Sequence, residues 1–343
     1  MVATTTKDSH TDRFYANGRM QVPVIAYLGA IDKKTSEPYS LLDSDLDKIE
    51  LYDLDHPSDT LSGSWSYTDV RNPLFASSLE IPADKASDPP KETSPARAQV
   101  LSAVNPTLRT KTYWVSATTV EVKHIAARVR QPDDTVVTTK YSVFNSFVKL
   151  TGAEPIIYTM DSVNVAREDT GNGNYNFYKQ ESEDGNWFTS GQPFDQDNYY
   201  VTSKFHPFVK ADIYGLDCGM SDWRMENCYS YHAPDGKNMK LSLIWGLGVE
   251  TVRTVGLFVK STVTDASGVR GLAADAFVNM RINKRSNAVC LTRLAFDCTD
   301  SIWGDNWSND HCGFTVYDVY GNAGKFAAGF SSNHNLVAIS NAD

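Results

Sequence analysis

The sequence predicts an all-β protein, a multi-domain β-sandwich with a larger C-terminal β domain, and three observations predict it. Aromatic residues make up 11% of the 343 residues, and 17 residues are tyrosine, a load that suits pleated, half-buried surfaces. Apolar residues recur at period two in one segment after another, which sets one face of a strand against a core. Turn residues punctuate those segments, whereas helical periodicity is scarce and no repeat of fixed length occurs.

The first element comes from "RFYANGRMQVPVIAYLGAI". Asn17-Gly18 between two apolar-rich runs predicts a β-hairpin, because both residues accept the positive φ of a type I′ turn. Beyond it Met20, Val22, Val24, Ala26 and Leu28 share one face of a strand. Pro23 removes a ladder donor, so the strand is expected at a sheet edge or with a bulge. "DSDLDKIELYDLD" reads as one helical turn feeding a strand at Ile49 and Leu51, and "GSWSYTDV" places Trp65 and Tyr67 on one face. These elements form an expected N-terminal domain, residues 1–80.

Residues 81–99 hold four prolines and little to bury, and are expected to be a linker stiffened at Pro89-Pro90. Ser94-Pro95 is placed to cap a short helix running to Ala103. In "KHIAARVRQPDDTVVTTKYSVF" Ile125, Ala127 and Val129 alternate outward, Pro132 to Asp134 make the turn, and Val137, Thr139, Tyr141 and Val143 alternate back. With Trp114 before it, residues 100–198 read as an immunoglobulin-like middle module, although the Cys-Trp-Cys hallmark is absent. Its last part, residues 161–198, is expected to be a long turn-rich loop, which in a compact domain is functional or held by a partner. A C-terminal β domain, residues 199–343, carries the remaining alternation: Met239, Leu241, Leu243 and Trp245 after the Pro234 to Gly236 turn, then "VGLFVKSTV", "AFVNMRI", "AVCLTRLAF" and a final hairpin with Gly321-Asn322 at its tip.

Charge and composition narrow the partners. Thirty-two basic against 42 acidic residues give a net charge of -10, so phosphate backbones repel the chain and no nucleic acid is expected. No run of 18 apolar residues predicts a transmembrane segment, and the first residues lack the basic start and apolar core of a signal peptide. The expectation is a soluble protein made in the cytoplasm without a classical signal peptide, with release at a later stage left open. The five cysteines, Cys218, Cys228, Cys290, Cys298 and Cys312, are expected as buried thiols, with Cys218–Cys228 or Cys290–Cys298 pairing as the alternative. Both ends, "MVATTTKDSHTD" and "SNHNLVAISNAD", are polar enough to fray unless neighbouring subunits hold them.

No complete catalytic motif occurs, and no catalytic residue or cofactor is assigned. Asp43, Asp45 and Asp47 match the first ligand positions of an EF-hand, but Lys48 stands where its glycine belongs and Leu54 where its bidentate acid belongs. The loops Asp169 to Asn174 and Asp195 to Asn198 read as turns. "WGLGVE" from Trp245 lacks the third glycine of a dinucleotide fingerprint. The densest chemistry is "WGDNWSNDHC": Trp303 and Trp307 are spaced to stack on a sugar ring whose hydroxyls Asp305, Asn306 and Asn309 bond, and Asp310 with His311 are the metal-ligand candidates. Against both stands a structural role, with the tryptophans folded inward.

The functional expectation is therefore a non-enzymatic structural protein that self-assembles into homo-oligomers, as a particle or fibre component, through strand edges. The alternatives are a glycan- or cell-surface-binding adhesin and a β-pore-forming toxin, for which "VETVRTVGLFVKSTVTD" is the nearest membrane-inserting segment.

Overall fold

The structure is a computed structural model that describes residues 1–4, 9–57, 60–79, 108–131, 133–140, 145–180, 185–214, 227–248, 253–265, 268–280, 282, 285–303 and 311–342. Apart from one four-residue helix and one 3-10 turn, its regular elements are β-strands. They divide into two compact units, Met1–Ile156 with Val319–Asn322, and Ile157–Asp318 with Ala323–Asp343.

The first unit contains β1 (Val2–Ala3), β2 (Thr11–Tyr15), β3 (Val22–Leu28), β4 (Ala30–Ile31), β5 (Pro38–Tyr39), helix α1 (Asp43–Leu46), β6 (Ile49–Asp53), β7 (Trp65–Thr68), β8 (Arg109–Ala117), β9 (Val122–Arg130), β10 (Val136–Thr138) and β11 (Val148–Ala153). One sheet has the order β1-β3-β8-β7; the other runs β10-β9-β11-β2 with β6 also on β9. They pack as a sandwich. Phe14 of β2 meets Trp65 of β7 edge-on at 5.4 Å, and the Tyr113 hydroxyl of β8 donates to the Ile49 carbonyl of β6. The expected face of β3 is buried at Met20, Val22, Val24 and Ala26 but not at Leu28, and Pro23 and Tyr27 on the opposite face are buried as well, so the alternation holds only in part. Pro23 is accommodated because β1 pairs with β3 only at Ile25 and Ala26, so that among the described residues none pairs with Pro23 on that side.

Asn17-Gly18 does not make the expected hairpin. β2 pairs in parallel with β11, whereas β3 pairs with β1 and β8 in the other sheet. The Asn17 side chain instead accepts from the N–H groups of Arg19 and Met20, an Asx-type turn that carries the chain from one sheet to the other. β9 and β10 pair antiparallel as expected, with Val137 opposite Val129; Pro132, Tyr141 and Val143 lie outside the described residues. Strands β8 to β11 share both sheets with the N-terminal strands, so the sandwich expected of residues 100–198 is completed by residues of 1–80, and the unit ends at Ile156 rather than at 198. The linker and the helix to Ala103 lie outside the described residues.

The second unit contains, after the turn Met160–Ser162, β12 (Val163–Gln180), β13 (Trp187–Ser203), β14 (Phe208–Tyr214), β15 (Cys228–His232), β16 (Asn238–Trp245), β17 (Arg253–Asp265), β18 (Gly268–Met280), β19 (Val289–Asp297), β20 (His311–Asp318), β21 (Ala323–Phe330) and β22 (Val337–Asn341). A seven-stranded antiparallel sheet has the order β15-β16-β19-β13-β12-β18-β17, and a four-stranded one the order β14-β20-β21-β22. Tyr229 joins them: its ring packs on Phe330 at 4.8 Å and its hydroxyl donates to the Gly329 carbonyl. Met239, Leu241 and Leu243 are buried as their spacing predicts, but so are Ser242 and Ile244, because β16 is an interior strand with both faces covered.

The loop expected over 161–198 is corrected to the longest hairpin in the molecule. β12 and β13 pair from Val163↔Ser203 to Gln180↔Trp187, with one register shift between Asp169 and Gly171. Asp169 to Asn174 and Asp195 to Asn198, read as turns, are strand residues. Both ends of the chain are held within it, since β1 pairs with β3 and β22 with β21; no neighbouring subunit is required for that. The all-thiol expectation is also corrected: Cys228 is disulfide-bonded, while Cys290, Cys298 and Cys312 are not.

Candidate functional site

The seven-stranded sheet positions the candidate site at its outer end. Residues of β16 and β18, four places apart in strand order, contribute Met239, Leu241, Leu272, Ala274 and Val278 to one buried cluster with Tyr175, Phe177 and Phe296. β18 is anchored through the apolar residues it contributes to this shared core. Its backbone is less so: β18 pairs with β12 only from Asn176↔Asp275 to Lys179↔Leu272. With β17 it pairs along all thirteen residues, Arg253↔Met280 to Asp265↔Gly268.

β17 is the terminal strand. Among the described residues nothing pairs with its outer edge, so about half of its backbone donors and acceptors face outward over about 43 Å. β17 is the longest of the terminal strands; β15, at the other end of the sheet, has five residues. Lys260 and Thr262 are exposed along β17. Beside the edge, Trp187 lies over Gly271, where a Cβ would stand 2.7 Å from the indole, yet Trp187 remains 41% and Phe188 58% exposed.

The charged centre of the same sheet is closed. Asp197 of β13 is completely buried and accepts two bonds from Arg167 of β12, at 3.1 and 3.0 Å, and one from Arg293 of β19, at 2.8 Å. Arg293 also reaches Asp195 at 3.2 Å. The hydrogen bond to Asp197 holds the Arg167 guanidinium above its usual pKa, so these groups are committed to one another. Burial pushes the Cys290 thiol up to about 12, which leaves it protonated and a poor nucleophile near neutrality. The aspartates read against the EF-hand each face a cation: Asp43 with Arg109, Asp47 with Lys111 and Asp45 with Lys48. Among the described residues no group of three or more His, Cys, Asp or Glu side chains is placed to hold a metal.

Of the sequence-predicted site, Trp303 is corrected. It is 1% exposed and packs on Phe296 at 5.5 Å and Tyr175 at 5.8 Å, so neither ring face is open to a sugar. Its backbone N–H donates to the Gly236 carbonyl, and Gly236, at φ +65°, sits too close to Ser301 to carry a side chain. Asp305, Asn306, Trp307, Asn309 and Asp310 lie outside the described residues. His311 opens β20 and is exposed. The free edge of β17 was legible only as an alternating segment, since strand order is not written in any one strand.

Fold and edge define a class no finer than a multi-sheet all-β protein. No protein-family profile and no curated protein matches the chain. Among solved structures, the C-terminal domain of the AgI/II polypeptide BspA of Streptococcus agalactiae covers 99% of this chain and 99% of its own at 11% identity, with a TM-score of 0.18. A second structure, titled "BspA_C_WT", covers the same shares at 10% identity and the same TM-score. At that score the similarity carries no inference about this chain.

Proposed function

We propose that the protein is a structural, self-assembling β-protein whose copies join through exposed strand edges. The observation that carries this reading is the thirteen-residue outer edge of β17, a row of backbone groups that no described strand pairs with and of the kind that templates addition of another strand. An edge of this length in a monomer is ordinarily blunted by a proline, a bulge, charged side chains or a covering segment, and of these β17 carries the exposed Lys260. β17 contains no proline, and its pairing with β18 runs without a register shift. The acidic net charge opposes non-specific association and leaves directional edge pairing as the attractive element.

Light scattering on purified protein over a wide concentration range, with negative-stain images of the same samples, tests the reading. Discrete oligomers or filaments support it; a monomer at every concentration sinks it.

The β17–β18 hairpin favours a second reading, a pore-forming protein. Each strand has thirteen residues, more than the nine to eleven or so that a tilted strand needs to cross a bilayer, and four register pairs tie the hairpin to β12. Release of dye from liposomes would establish it, and intact liposomes at saturating protein would remove it.

A further inference from the structure

We infer that the partner at the β17 edge is a second copy of β17, related by a two-fold axis through Val259. This rests on the assembly reading and specifies its contact. A two-fold contact between edge strands is antiparallel and isologous, so each residue i faces residue j of the other copy, with i and j summing to a constant. The axis stands perpendicular to the sheet and passes through a residue position, because a one-residue slip would set the apolar face of one sheet against the polar face of the other.

The sequence of β17, "RTVGLFVKSTVTD", is complementary to itself in its outer pairs. Pairing about Val259 sets Arg253 opposite Asp265 at both ends, Thr254 opposite Thr264 and Val255 opposite Val263, with Gly256–Thr262, Leu257–Ser261 and Phe258–Lys260 as the energetically neutral inner pairs, and it uses all thirteen residues. Opposite charges, threonine pairs and β-branched pairs are the favourable cross-strand combinations. The neighbouring registers are poorer. Centring on Lys260 brings two ammonium groups face to face on the axis and leaves Arg253 beyond the overlap. Centring on Phe258 sets Arg253 against Val263 and leaves Asp265 beyond it. The contact would join two seven-stranded sheets into one.

Three measurements on the full chain test this together. Hydrogen exchange of the wild-type protein should show protection over 253–265 rising with concentration. Arg253→Asp or Asp265→Arg alone creates like-charge pairs at both ends and should weaken association about tenfold. An equimolar mixture of the two variants, which restores both opposite-charge pairs, should recover it. Val259→Cys should form a disulfide-linked dimer under mild oxidation, whereas Leu257→Cys, displaced from the axis by two residues, should not. Assembly that persists with unchanged exchange over 253–265 overturns the β17 contact and leaves the assembly reading standing, and so does assembly indifferent to the charge swaps. Cross-linking at Leu257→Cys but not at Val259→Cys overturns the register. A monomer under all conditions overturns both inference and reading. Melting curves identify any variant that fails to fold, and the wild-type exchange experiment then decides.

Discussion

At the scale of single residues, Asp197 is the side chain on which the centre of the large sheet depends. Removing it as Asp197→Ala leaves Arg293, itself 5% exposed, with only Asp195, and an uncompensated buried cation is costly. We expect a loss of about 3 kcal/mol or more, read as a fall in the urea midpoint; a loss below about 1 kcal/mol would mean that water reaches Arg293. Gly324 is a steric case. A Cβ there overlaps both the Cβ and the carbonyl of Tyr158, where the Tyr158 N–H donates to Ala323. Because backbone cannot swing aside, Gly324→Ala should cost about 2–3 kcal/mol by the same assay. Asp53 provides a pH dependence. Burial works to raise its pKa, but bonds from the Lys123 ammonium, the Asp55 N–H and His56 outweigh it and hold the carboxyl below its ordinary value of 3.8. A depressed carboxylate stabilises the fold above its unfolded pKa and ceases to do so as the pH falls through the folded one. Asp53→Asn should therefore be less stable than wild type at pH 7, with the gap closing below about pH 3.8.

At the scale of elements, what the sequence disclosed depended on how local each cause was. Met239, Leu241 and Leu243 disclosed β16 because alternation is written in the strand itself. Pro132 to Asp134 disclosed the β9–β10 hairpin because turn chemistry is equally local. Asn17-Gly18 misled for the opposite reason: the same side chain that favours a tight hairpin also closes an Asx turn, and only the distant partners β11 and β8 decide which sheet each flanking strand joins. The β12–β13 hairpin hid because its polar residues face one another across long strands, with Tyr175 and Phe177 the only strong apolar alternation in β12. Of the site, the alternation of β17 was visible and its free edge was not; Trp303 was noticed for its neighbours in sequence, although its neighbours in space make it core. The hairpin β17–β18 is also where the sheet should open first. With four pairs to β12, its amides in dilute protein should exchange faster than those of β13 and β19, which are paired on both sides. Equal protection across the sheet would contradict that ordering.

At the scale of the whole molecule, assembly is a matter of counting edges. A two-fold contact at β17 closes on itself and yields a dimer, because each copy offers one such edge and the contact consumes both. A particle or fibre needs a second contact, and β15, β14 and β22 in the second unit and β1, β7, β10 and β2 in the first are terminal strands that remain. Sedimentation or scattering should then find masses in even multiples of the chain. Trimers or other odd species would require a heterologous contact in place of the two-fold one.

The tip of the β20–β21 hairpin bears on where the chain can be divided. Its four residues, Val319–Asn322, belong to the first unit although both strands belong to the second. There Val319 accepts from the Ala76 N–H, Tyr320 packs on Tyr15 at 5.7 Å, and Asn322 accepts from Asn17 and from the Ile156 N–H. A gene fragment ending at codon 156 therefore encodes a first unit that lacks four of its own residues. A fragment cut at that boundary should be less stable than the same unit within the whole chain, because it has lost residues that its own contacts use.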